Sequence, residues 1–290
     1  MTRPADAQHG VLVLSCLDAP GIVHAVSGVL VQEGCTIVES HQFDSLTSGM
    51  FYMRVEFAHS DGSPLDFDRL RRAMDEPAKS FQMRWQMTDA AERQRVLIMV
   101  SQYAHCLNDL LFRNSIGELN LDVVAIVSNH PTLEGIATFY GVPFHHIPVT
   151  RETKPEAEAA LLDIVRRERV DLVVLARYMQ ILSNELCDAL EGRTINIHHS
   201  MLPSFKGARP YHQAHDRGVK FIGATAHYVT GDLDEGPIIE QEMLRVDHHL
   251  SPEQLAARGR EAETRALSHA VRWHTENRII IQGNRTVVFE

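Results

Sequence analysis

Apolar and polar positions change rhythm along the chain. The first stretch mixes two periods. "GVLVLSC" (residues 10–16) is apolar and β-rich, while "IVHAVSGVLVQEG" sets Ile22, Val26, Val29 and Leu30 at helical spacing. "CTIVESHQF" and "MFYMRVEF" read as two strands around "DSLTSG". "LDFDRLRRAMDE" reads as an amphipathic helix and "SFQMRWQM" as a closing strand. The order β-α-β-β-α-β predicts a ferredoxin-like sandwich over residues 1–87. Asp18 is expected to cap the first helix, with Pro20 in its first turn and Gly34 at its end. The short polar segment 88–94 is the expected linker.

From residue 95 to 290 the rhythm differs. "RVLIMVS", "LDVVAIVSN" and "VDLVVLA" are near-continuous apolar runs separated by helical stretches. Strands buried on both faces and alternating with helices predict a mostly parallel, Rossmann-like sheet. Ligands of such sheets sit beyond the carboxyl ends of the strands. "TINIHH" extends the sheet. "FIGATAHYVTG" and "GPIIEQEMLRV" follow as two strands joined by "GDLDEG", then a long helix and a hairpin turning at Gly283-Asn284.

Composition narrows the function classes. Hydrophobic residues make up 44% and charged residues 23%, as in a globular α/β protein. The net charge of −10 opposes non-specific nucleic-acid binding, which needs a basic footprint. Cys16, Cys35, Cys106 and Cys187 are scattered, which fits free thiols in a reducing compartment. The N-terminus has no apolar core of a signal peptide, and no run is long enough to span a bilayer. A cytoplasmic protein without membrane or nucleic-acid partners is expected. Its 17 histidines form no H-E-x-x-H or comparable ligand spacing, so no metal is expected.

The chemistry concentrates in "TINIHHSMLPSFKGARPYHQAH" (residues 194–215). Side chains alternate faces on a strand, so Asn196 and His198 project together, opposite Ile195 and Ile197. An amide beside an imidazole suits an oxyanion developing on a carbonyl. Asp234, in the "GDLDEG" turn, can fold back to orient the imidazole. Ser200 and Ser204 lie nearby, but neither sits in a G-x-S-x-G elbow. On spacing alone these read rather as structural polar residues of a strand end and a turn.

The pattern N-I-H-x-S-x-L-P, then H-x-V, then L-D-x-G-P-I-I resembles the folate-dependent formyltransferase family from about Arg95 to the end. "LDAPGIVHAVSGVLVQEG" resembles an ACT domain, an amino-acid-sensing ferredoxin-like module. The resemblance implies Asn196, His198 and Asp234 as the catalytic trio. It also implies folate contacts from Met179, Gln180, Ile181, Leu182, His227, Thr230, Gly231 and Leu233, with no cofactor beyond the folate substrate. In the ACT-like part it implies an amino-acid effector near Asp18, Gly21 and Gly34 at a pair of such domains, or an oligomerisation module without ligand, with a homo-oligomer expected in both cases.

Within the family, nucleotide transformylases carry a Gly- and Ser-rich phosphate loop after the first strand. Here that place reads "VSQYAHCLNDLL", without glycine and with Tyr103, His105 and Cys106 in the expected loop. An ACT-like part ahead of this domain, together with "HHSMLPSFKGARPYHQA", resembles the family's hydrolytic members, and the resemblance implies hydrolysis of 10-formyltetrahydrofolate, supplying formate and tetrahydrofolate to one-carbon and purine metabolism. The alternatives are formyl transfer to an amine, or an inert ACT-type sensor. The loop bearing Lys206, Arg209, Tyr211 and His212 reads as a lid, as a filler of the vacated nucleotide site, or as a subunit contact.

Overall fold

The structure, a computed structural model, describes residues 7–203 and 210–290. Ser204, Lys206 and Arg209 lie outside the described residues. The chain divides into two compact units. The first runs to Glu92 and takes in Glu276–Ile280 and Val287–Glu290; the second comprises Arg93–Thr275 and Ile281–Thr286.

The first unit contains β1 (His9–Leu17), α1 (Ile22–Gln32), β2 (Cys35–Ser45), β3 (Met50–His59), α2 (Phe67–Ser80) and β4 (Arg84–Asp89). The antiparallel strand order β2-β3-β1-β4 is that of a ferredoxin-like sheet. Alternation sends Leu12, Leu14 and Cys16 of β1, with Phe51, Met53, Val55 and Phe57 of β3, into one core. Ile22, Val26 and Leu30 of α1 and Leu70 and Met74 of α2 cover it.

Three local expectations change. The N-cap of α1 is Gly21, left-handed at φ 99°, with no side-chain cap bond; Asp18 and Pro20 precede the helix. A glycine tolerates that backbone where a capping aspartate would strain it. Because β4 continues to Asp89 and β5 begins at Gln94, the linker contracts to residues 90–93. The second domain does not run unbroken from 95 to 290, because the end of the chain returns to the first unit. Buried polar partners hold this return. Arg54, 2% exposed, donates to Glu39 Oε2 at 2.6 Å and to the Glu276 carbonyl at 3.3 Å. Arg278 donates to the same Glu39 oxygen at 3.2 Å. A buried guanidinium needs such acceptors.

The second unit contains β5 (Gln94–Val100), α3 (His105–Ser115), β6 (Leu121–Ser128), α4 (Glu134–Tyr140), β7 (Phe144–His146) and α5 (Lys154–Arg167). It continues with β8 (Leu172–Leu175), α6 (Asn184–Ala189), β9 (Thr194–His198), α7 (Pro210–Asp216), β10 (Phe221–Tyr228), β11 (Ile238–Arg245) and α8 (Pro252–Thr275). The hairpin β12 (Ile279–Gln282) and β13 (Arg285–Val288) ends the chain.

The seven-stranded sheet has the order β11-β10-β9-β8-β5-β6-β7, parallel from β9 to β7 and antiparallel at β10 and β11. Val96, Leu97, Ile98 and Met99 are all buried, as expected of a strand covered on both faces. His105 and Cys106, expected in a loop, form the first turn of α3. Among the described residues no helix is long and apolar enough to cross a membrane.

Candidate active site

Strand pairing builds the site. Asn196 on β9 lies opposite Leu175 on β8 and opposite His227 on β10, and Thr225 lies opposite His198. Thr225 Oγ1 donates to the Ser200 carbonyl at 2.9 Å and accepts from the Leu202 N–H at 3.0 Å, which fixes the chain leaving β9. The β10–β11 turn folds back, with the Tyr228 N–H donating to the Pro237 carbonyl at 2.9 Å. It carries Asp234 at φ 57°, a left-handed backbone that aspartate tolerates better than most residues.

Asp234 Oδ2 lies 3.3 Å from His198 Nδ1, and Oδ1 lies 3.7 Å from His227 Nε2. His227 Nδ1 is 2.8 Å from the Tyr228 carbonyl. A carbonyl only accepts, so Nδ1 carries the proton in the neutral ring. Nε2 then accepts from Asn196 Nδ2 at 3.2 Å, which sets the direction of the Asn196 amide. His198 Nε2 is buried and has no hydrogen-bond partner among the described residues, leaving that end of the ring for a ligand. Burial works to raise the Asp234 carboxyl, but His198 and His227 outweigh it and hold the pKa well below the usual carboxylate range. Asp234 is therefore ionised at neutral pH and faces the His198 ring at Nδ1.

These residues line a cavity of ≈ 600 Å³. All eight expected folate residues line it too: Met179, Gln180, Ile181, Leu182, His227, Thr230, Gly231 and Leu233. Ser101 Oγ accepts the Met179 N–H at 3.0 Å and donates to Asn129 Oδ1 at 2.7 Å, which fixes the segment after β8. Met179, Ile181 and Leu233 are 51%, 61% and 59% exposed, an apolar rim suited to a flat aromatic ligand. Asp18 and Gly21 flank the β1–α1 connection, but Gly34 lies at the far end of α1. An 11-residue helix is about 16 Å long, so one copy does not bring all three together.

The sequence reading passed over a polar cluster in the same cavity. Glu263 of α8, 1% exposed, accepts from His105 Nε2 at 2.7 Å and from the Tyr211 hydroxyl at 2.7 Å. Arg177 Nε lies 3.5 Å from Glu263 Oε2. Burial would raise the Glu263 carboxyl, but His105, Arg177 and Tyr211 hold it below its ordinary value. One signal was available. Glu263 falls on the buried stripe of α8 with Gly259, Ala266, Leu267 and Ala270, where an unpaired acid would be costly.

His105, Cys106 and Glu263 bring their donor atoms within 4.8 Å of one another. This set suits a metal poorly. Burial and then Glu263 push the Cys106 thiol well above its ordinary pKa, and the Arg177 cation already faces the carboxylate.

Comparison with known proteins matches residues 94–271 to the formyl transferase family. The chain is 54% identical to formyltetrahydrofolate deformylase of Corynebacterium sp. (strain P-1), over 96% of this chain and 97% of that protein. The crystal structure of a formyltetrahydrofolate deformylase from Burkholderia mallei superposes with a TM-score of 0.92 at 52% identity, covering 98% of this chain and 100% of that one. A glycinamide ribonucleotide transformylase from Symbiobacterium toebii covers only 68% of this chain and 95% of its own, with a TM-score of 0.64 at 31% identity.

Proposed function

The chain belongs to the formyl transferase family, and we propose that it hydrolyses 10-formyltetrahydrofolate to formate and tetrahydrofolate. The observation that carries this reading is the buried Nε2 of His198, without a hydrogen-bond partner among the described residues, backed by Asp234 and set beside the oriented amide of Asn196. Similarity to deformylases along nearly the whole chain supports water as the acceptor.

In this mechanism the formyl oxygen lies between Asn196 Nδ2 and His198 Nε2. Water attacks the carbonyl carbon, and the oxyanion that forms is held by both donors. Asp234 orients the imidazole through Nδ1. The tetrahedral intermediate collapses by breaking the bond to N10. One proton of the water reaches N10 through the His198–Asp234 pair, and another is lost as formate ionises. The pterin packs on Met179 and Leu182 beneath the turn of residues 230–234.

Incubation with 10-formyltetrahydrofolate and no amine tests this reading. Equal release of formate and tetrahydrofolate is expected. Turnover only with an added amine would indicate formyl transfer, and binding without turnover an inert sensor.

We read the first unit as an ACT-type module that pairs copies into a homo-oligomer, with or without a small amino-acid effector bound near Asp18, Gly21 and Gly34 at the pair. Sedimentation with and without amino acids separates these roles: a ligand-independent oligomer unaffected in activity by any amino acid would leave only pairing. The four cysteines are free and buried, which suits a reducing cytoplasm.

A further inference from the structure

Arg177 lines the cavity, and the mechanism leaves its chemistry unused. Its side chain is 8% exposed, and neither Nε nor Nη1 has a hydrogen-bond partner among the described residues. Glu263 does not supply one. Its Oε1 is taken by Tyr211 and its Oε2 by His105, both at 2.7 Å, and Arg177 Nε stands off at 3.5 Å. The carboxylate thus balances the guanidinium's charge while leaving donors unfilled. Each buried donor left so costs about 1–3 kcal/mol, and such groups in native proteins call for an explanation.

The surroundings hold Arg177 rather than letting it turn away. The guanidinium lies over the Tyr103 ring, 5.1 Å from its centroid. Its backbone is left-handed at φ 67°, a conformation a long side chain adopts only when its surroundings impose it. Arg177, Tyr103 and His199 line the same cavity as Asn196, His198 and Asp234. The His199 ring lies 5.2 Å from that of His198 and 6.3 Å from that of Tyr211. The other cavity arginine, Arg260, is exposed and can meet water instead.

An occupant must therefore be small, anionic and rich in acceptors. A carboxylate matches a guanidinium edge with two parallel hydrogen bonds. Hydrolysis generates such a group in each turnover, beside the ionised Asp234 that repels it. The geometry points to Arg177 as a carboxylate subsite that draws product formate away from Asn196, His198 and Asp234. This rests on the hydrolytic reading for the identity of the anion, but not for the existence of the subsite.

The test is binding of ¹³C-formate to the folate-free protein, read by NMR line broadening, with acetate and inorganic phosphate as competing probes. Saturable formate binding is expected in the wild type, with acetate competing and phosphate weaker. Arg177→Lys keeps the charge but not the fork. The double variant Arg177→Met with Glu263→Gln removes both charges, so that neither is left uncompensated. Each is expected to weaken formate binding about tenfold or more, the equivalent of one charge-assisted hydrogen bond. Tetrahydrofolate binding reports in parallel whether the cavity persists.

Absence of saturable formate binding to the wild type would overturn the proposal. So would unchanged formate binding in either folded variant, or an equal loss of formate and tetrahydrofolate binding. Because no step requires turnover, formate binding to a protein that proved unable to hydrolyse the folate would sink the hydrolytic reading and leave the subsite standing.

Discussion

Asp234 is the residue on which charge, backbone and contact all converge. It reaches two imidazoles, and its carboxyl stays ionised through those contacts despite partial burial. Asp234→Asn keeps the shape and removes the negative charge that faces His198. We expect kcat to fall by about 10²–10⁴ with little change in folate affinity, the range for a lost acid–base group. Steady-state kinetics paired with a folate-binding titration check this; equal losses in kcat and affinity would mean that Asp234 merely shapes the cavity. At this scale the sequence was informative where a motif existed. Strand alternation pairs Asn196 with His198, but the trio with Asp234 stands out through the motifs shared with the formyltransferase family. Arg177 and Glu263 did not stand out, because an arginine after an apolar run and a glutamate in a charge-rich helix look solvated until the packing around them is known.

The β10–β11 turn is the element that turns strand order into a site. Gly236 permits it. A Cβ at that position would lie 1.8 Å from the Tyr228 carbonyl oxygen, and backbone cannot swing aside as a side-chain tip can. Gly236→Ala must therefore shift the turn that carries Asp234. Misplacement of about 1 Å can cost about 10² in rate, so we expect that loss in kcat/KM. Stability should fall by about 1–3 kcal/mol, the usual range for overpacking. Activity assays and urea unfolding read the two effects, and wild-type behaviour in both would show that the turn is free to move. Long apolar strands and α8 were legible because their periods extend over many residues. The three-residue β7, "FHH", carries no period, and the Gly21 cap of α1 depends on a backbone angle that the residue pattern "DAPG" does not encode.

At the scale of the whole molecule, the return of Glu276–Ile280 and Val287–Glu290 to the first unit was the least legible feature. It depends on Arg54 finding acceptors more than two hundred residues away, a pairing that local pattern cannot signal. Two half-buried histidines also tie stability to pH. Burial, and for His199 also Arg177, holds His199 and His274 at about 4 rather than 6.5. Between those values the unfolded chain binds protons that the folded chain refuses, so stability falls as pH drops through this window. The slope is up to about 1.4 kcal/mol per pH unit for each histidine. Asp234 acts lower: its contribution is complete above its ordinary value of 3.8 and is lost as pH falls further. Urea midpoints measured from about pH 7 down to 5 should decline, and a flat profile would contradict neutral burial of both rings.

The central claim is that Asn196 and His198 clamp an oxyanion formed by water. Single-turnover release of formate from 10-formyltetrahydrofolate, with no amine present, tests it most directly when wild type is compared with Asn196→Ala and His198→Ala. The wild type should release formate and tetrahydrofolate in equal amounts, and each folded variant should be slower by about 10²–10³. Near-wild-type release by either variant, or none from the wild type, would contradict it.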